Sequence, residues 1–173
     1  MQSKQNLKIP KKQKQVTLWI HPEGRVVGSL FLSLQGALPD REEAPLEALN
    51  HPKSFLVLRR DDPDELRFYN KSSIVRVEHC KAQSSELEEI NPIACRLCLM
   101  DGSIIEGTIK RALPPDNARL YDYLNMYDER FAEIYLEEDI VCLVNKSYIV
   151  YVKQLPDRVD DHKGWLHAGV SLA

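Results

Sequence analysis

Asn70-Lys71-Ser72-Ser73-Ile74-Val75-Arg76-Val77 returns 75 residues later as Asn145-Lys146-Ser147-Tyr148-Ile149-Val150-Tyr151-Val152. The same offset carries Leu49-Asn50 onto Leu124-Asn125 and Ala37-Leu38-Pro39 onto Ala112-Leu113-Pro114. Three landmarks in one register point to two versions of one small domain, made by internal duplication. Working outward from them divides the chain into a basic tail (1–15), a first repeat (16–79), a linker (80–94), a second repeat (95–155) and a C-terminal tail (156–173).

Each repeat reads as a series of short strands. In the first, Val16, Leu18 and Ile20 alternate with Thr17 and Trp19, so one face of a strand is apolar. His21-Pro22-Glu23-Gly24 is turn chemistry, and an apolar strand resumes over Val26 to Leu34. A polar excursion follows, with Gly36, Pro39 and Pro45. Three more strands are expected at Phe55–Leu58, Leu66–Tyr69 and Ile74–Val77. The second repeat keeps this order: Leu97 and Leu99, an Asp101-Gly102 hairpin turn, then Ile104 and Ile105. A break at Pro114-Pro115-Asp116-Asn117 precedes strands at Phe131–Leu136, Ile140–Val144 and Ser147–Val152. Five short strands per repeat predict an all-β chain of two tandem five-stranded barrels with irregular or disordered tails. In the linker, Ser84 to Glu89 has the composition of a capped helical turn that Asn91-Pro92 would stop, with a plain linker as the equal alternative.

Composition fits a globular protein, with 43% hydrophobic and 28% charged residues supplying enough apolar material for a core. No apolar run reaches the roughly 18 residues of a membrane span, so no membrane insertion is expected. The first 15 residues lack an apolar stretch of the secretory type, and cytoplasmic residence is the resulting expectation. The net charge of −3 divides unevenly: residues 1–15 carry five lysines and no acid, and the remainder sums to −8. A basic arm of that kind suits phosphates or an acidic protein surface, or simply keeps a tail solvated. The C-terminal tail ends in Trp165, Leu166, Val170 and Leu172, whose first expected role is docking on a barrel and whose second is engaging a partner.

The landmarks together resemble the Sm-like family of small barrels. Gly24, Gly28 and Leu49-Asn50 stand at the positions of that family's first motif in repeat one. Gly102, Gly107, Asp122 and Leu124-Asn125 do so in repeat two. Asn70-Lys71-Ser72 and Asn145-Lys146-Ser147 stand where the family has Arg-Gly. The similarity spans both repeats, 16–79 and 95–155, but neither has the Arg-Gly pair, and repeat one lacks the aspartate. It implies an SH3-like barrel fold, RNA binding through loops, and a homo-oligomeric ring.

The residues singled out as ligand or partner contacts are Asn50, Asn70, Lys71, Asp122, Asn125, Asn145 and Lys146. Paired loops would present Lys71 and Lys146 to an anion, with the asparagines hydrogen bonding beside them. Against this, Asn and Ser side chains also bond local backbone in tight turns, and Asn50 or Asn125 could cap a following strand. Cys95-Arg96-Leu97-Cys98, with His79-Cys80, has metal-ligand spacing. On an alternating strand, however, Cys95 and Cys98 face opposite sides, so no metal and no cofactor is expected.

Catalytic signatures are absent from the sequence: there is no Gly-x-Ser-x-Gly, phosphate-cradling loop or His-Glu-x-x-His. The histidines fall in turns and tails, and acidic runs such as Asp61 to Glu65 read as solvated hairpin tips. The first expectation is therefore a non-catalytic interaction or adaptor module held in a larger assembly by protein partners. Both repeats carry more acids than bases (10 against 8, then 10 against 7), which suits protein better than nucleic acid. The alternative is an RNA-binding protein using the Asn/Lys loops and the basic arm, with Tyr121, Tyr123 or Tyr148 stacking on bases.

Overall fold

A computed structural model describes residues 11–34, 42–81, 92–111, 119–126, 128–136 and 139–156. Ten antiparallel strands form one sheet, accompanied by two short helices. The strands are β1 (Lys11–Ile20), β2 (Gly24–Ser33), β3 (Phe55–Arg60), β4 (Glu65–Asn70) and β5 (Ile74–Cys80), then β6 (Ile93–Leu99), β7 (Ile104–Ile109), β8 (Phe131–Tyr135), β9 (Ile140–Asn145) and β10 (Ile149–Gln154). Helix α1 (Pro45–Asn50) lies between β2 and β3, and α2 (Leu120–Leu124) between β7 and β8.

Across the sheet the order is β10-β6-β7-β8-β9-β5-β1-β2-β3-β4. Each half runs in the same internal order: last strand, first, second, third, fourth. The expected closed barrels are not what the ladder forms. Among the described residues the sheet is open, with β4 and β10 as its edges, and β9 joins the second half to β5 of the first. The reason lies in the pairing: β5 is bonded to β1 on one side and β9 on the other, which leaves it no side for β4.

Strand alternation places the core. Val16, Leu18 and Ile20 on β1 and Val26, Leu30 and Leu32 on β2 are buried in one cluster. Cys95, Leu97 and Leu99 on β6, with Ile105 and Ile109 on β7, belong to a second. The hairpin turns need glycine where the backbone turns left-handed: φ is +92° at Gly24 and +81° at Gly102. Gly28 and Gly107 serve a different purpose. A Cβ on Gly28 would collide with the Arg59 carbonyl oxygen, and one on Gly107 would meet Ile134 Cγ2 and Tyr135 O at 2.6 Å each. These glycines let β2 and β7 cross close to the third strand of their halves. Gly107→Ala is accordingly expected to cost about 1 to 3 kcal/mol of overpacking strain, read by urea unfolding.

Several expectations fall elsewhere. Lys11 to Gln15 do not belong to a tail: they pair with Ser29–Ser33, extending the β1–β2 ribbon beyond the core. Their side chains are polar, so core alternation gives no sign of the strand, and the backbone ladder alone makes it. Cys80 ends β5, and Ile93 and Ala94 begin β6, so both ends of the expected linker are strand. Residues 1–10, the Pro39-Asp40 and Pro114–Asn117 breaks, the helical turn at Ser84–Glu89 and the tail from 157 lie outside the described residues. Among the described residues, no helix is long and apolar enough to cross a membrane.

Candidate functional site

The two halves meet where β5 pairs antiparallel with β9. Its ladder pairs Arg76 with Val144, Val77 with Leu143, Glu78 with Cys142 and His79 with Val141. Because β9 is covered on both faces, its alternation divides between two cores. Cys142 and Val144 belong to the second half's cluster, whereas Val141 and Leu143 enter that of the first. Phe131, at the start of β8, also enters the first half's cluster and is fully buried. The exchange is mutual: Val75 on β5, with Trp19 beside it, packs into the second half's cluster. Val75 occupies a bulge, since the β1–β5 register slips between Trp19 and Ile20, and the extra residue is aimed across the junction.

Polar groups lock the same seam. Asn145, fully buried, sends its Nδ2 to Lys71 O (3.3 Å) and Ile74 O (2.9 Å) in the other half. Asn50 reaches the opposite way: Phe131 N donates to its Oδ1 (2.8 Å), and its Nδ2 donates to Phe131 O (3.3 Å). On the outer side, the Arg76 guanidinium lies 3.9 Å from the Trp19 ring centroid, bonds Ser103 Oγ (3.0 Å) and pairs with Glu78 (3.3 Å).

Lys71 and Lys146 sit in equivalent three-residue 3₁₀ turns, Lys71–Ser73 and Lys146–Tyr148. Lys71 is buried, its Nζ donating to Ala48 O (2.7 Å) and His51 O (2.8 Å) at the end of α1. Lys146 does the same for α2, reaching Met126 O (3.0 Å) and Tyr123 O (3.4 Å). Both ammonium groups thus satisfy carbonyls that a helix C-terminus leaves open. Burial pushes both lysine pKa values down, with Arg130 adding to the effect at Lys71, while Glu129 works against it at Lys146. Asn70 and Asn145 cap the turns, their Oδ1 atoms accepting from Ser72 N (2.9 Å) and Ser147 N (3.0 Å).

A cavity of about 620 Å³ opens over the seam, lined in part by Asn50, His51, Asn125, Glu129, Arg130 and Lys146. Of the residues read from sequence, it brings together Asn50, Asn125 and Lys146. Lys71 and Asn145 lie buried rather than on its wall, Asn70 is exposed at the β4 edge, and Asp122 is in the first turn of α2. Asn125 ends α2, its Nδ2 donating to Tyr121 O (2.8 Å). Sequence reasoning missed both helices and the seam itself. Pro45 in the first turn, with Glu47 accepting from Ala44 N (2.7 Å), was a legible start for α1.

Two buried thiols and a buried phenol beside the seam hold their protons. Burial pushes the Cys95 thiol up to about 11, Cys142 to about 12 and the Tyr123 phenol to about 12. Tyr123 instead clamps backbone, accepting from Glu133 N (2.7 Å). All four cysteines are free thiols, and no group of three or more His, Cys, Asp or Glu among the described residues could hold a metal ion. Burial lowers the pKa of His79, on the seam strand, and Lys14 adds to the effect, although its Nδ1 bonds Cys80 O. A depressed folded-state histidine pKa means that the unfolded chain binds the proton first. Stability is therefore complete above the ordinary value of 6.5 and falls as pH drops through it. His79→Gln is expected to flatten that slope in urea unfolding at a series of pH values.

The chain matches no family model, no curated protein and no solved structure. The class that fold and site define is therefore physical: an open, ten-stranded antiparallel protein whose halves are sewn together strand to strand.

Proposed function

We propose that this chain is a non-catalytic protein-interaction module, built from two barrel-like halves that arose by duplication and acting through the strand edges left unpaired among the described residues. The duplication is supported by the shared strand order, the matched Gly28 and Gly107 approaches and the two lysine-capped helices. The observation that carries the functional reading is the apolar surface on the edges. Phe55 on β3, with Leu66 and Phe68 on β4, are 57%, 58% and 69% exposed. At the other end of the sheet, Val150 and Tyr151 on β10 are 59% and 53% exposed. Unpaired edge strands are normally blunted by charge or proline, and large apolar side chains beside them mark a surface meant to be covered. An adaptor in a larger assembly uses such a surface by strand addition.

RNA binding, the alternative reading, has less to draw on. The two lysines it would use on phosphates are each donating to backbone carbonyls. Affinity capture with wild type and Phe68→Glu tests the choice, recording absorbance at 260 and 280 nm across salt. A protein complex that survives high salt and is lost with Phe68→Glu is the expected result. Nucleic acid that salt strips, and that Phe68→Glu still retains, would overturn it.

A further inference from the structure

The two halves can be compared position by position through their hairpins. β3–β4 pairs Phe55 with Asn70, Val57 with Phe68 and Arg59 with Leu66; β8–β9 pairs Phe131 with Asn145, Glu133 with Leu143 and Tyr135 with Val141. Phe55, Phe68 and Leu66 therefore occupy the places of Phe131, Leu143 and Val141. In the second half those three are 0%, 0% and 2% exposed, because they lie inside the first half's core. In the first half their counterparts stand in solvent.

The other edge answers them. β10 pairs Tyr151 with Cys98 and Val152 with Leu97, as β5 pairs Arg76 with Trp19 and Val77 with Leu18. Both registers slip at the same place, so Val150 is the bulged counterpart of Val75. Val75 is 4% exposed, buried in the facing half, whereas Val150 is 59% exposed. The polar lock has a vacant counterpart as well. Asn145 Nδ2 bonds Lys71 O and Ile74 O across the seam, while Asn70, with its Oδ1 on Ser72 N, has no partner for its Nδ2 among the described residues.

We propose that the partner of these edges is a second copy of this chain, with β10 of one copy adding antiparallel to β4 of the next as β5 does to β9. This rests on the interaction-module reading above and names the partner that reading leaves open. The internal seam supplies the register: Tyr151 opposite Tyr69, Val152 opposite Phe68 and Gln154 opposite Leu66. Phe55, Leu66 and Phe68 then enter the second half of the neighbouring copy, Val150 enters the first half of the copy it meets, and Asn70 Nδ2 donates to Lys146 O and Ile149 O of a second copy. Lys153 falls beside Arg67, whose guanidinium is already held by Glu23 (2.7 Å) and Glu65 (2.5 Å). The contact is head to tail, so repetition closes a ring or extends a filament according to the rotation relating the halves.

Light scattering on the full chain tests this with two exposed-edge variants, Phe68→Glu on β4 and Val150→Glu on β10. Wild type should give a multiple of the chain mass, and each variant alone a monomer with unchanged circular dichroism. An equimolar mixture of the two should give a dimer, because one variant keeps an intact β10 and the other an intact β4. Variants that remain multimeric, or a mixture that stays monomeric, would overturn the proposed contact. A monomeric wild type would overturn self-association. If capture of a different protein were then still lost with Phe68→Glu, the module reading would stand without it; if Phe68→Glu captured the same material as wild type, both would fall.

Discussion

Phe131→Ala is expected to lower the unfolding free energy by about 3 to 5 kcal/mol, the range for truncating a fully buried phenylalanine. Phe55→Ala, at the equivalent hairpin position, should stay within about 0.5 kcal/mol for the isolated chain, because the ring is exposed. The large effect has two sources. Phe131 supplies the second half's anchor in the first half's core, next to Leu143 and Val141. Its backbone is also clamped by Asn50, so a cavity there loosens β8 at the point where Asn50 holds it. Urea unfolding of dilute chain, where association is absent, reads both variants; equal losses at the two positions would mean that the seam contributes no more than a surface hairpin.

Asn145→Ala should cost about 2 to 3 kcal/mol, against about 1 kcal/mol for Asn70→Ala. Both substitutions remove a turn cap, from Ser147 N in one case and Ser72 N in the other. Only Asn145 also strands the Lys71 and Ile74 carbonyls inside the protein. The difference between the two variants therefore isolates the buried amide at the seam. In concentrated solution the ranking should narrow, because in the proposed contact Asn70 gains the equivalent acceptors, Lys146 O and Ile149 O, from a neighbour; thermal unfolding at rising chain concentration reads that change.

Strand positions were legible because alternation is a local signal. Val16, Leu18 and Ile20 announce their buried face without reference to any neighbour. The recurring turn was legible too: Asn70-Lys71-Ser72 and Asn145-Lys146-Ser147 form equivalent capped 3₁₀ turns. What alternation cannot specify is which strand lies alongside, and closure was inferred where the chain pairs β5 with β9 instead. One cue was present: Ile140-Val141-Cys142-Leu143-Val144 is apolar on both faces, as a strand between two cores must be, whereas Glu65-Leu66-Arg67-Phe68-Tyr69 is mixed. The partners of the lysines were hidden for a different reason. A long flexible side chain in a polar turn looks like a solvent-facing cation, and the carbonyls that capture Lys71 lie 20 and 23 residues earlier, at the end of a helix the sequence reading did not find.

Hydrogen exchange along β4 and β10, followed as the chain is concentrated, tests most directly whether these edges are paired in use. Amides on their free sides should gain protection together, while the β5–β9 ladder stays protected at every concentration. Free-edge amides that exchange as unpaired backbone throughout, with the internal ladder intact, would contradict edge pairing between chains.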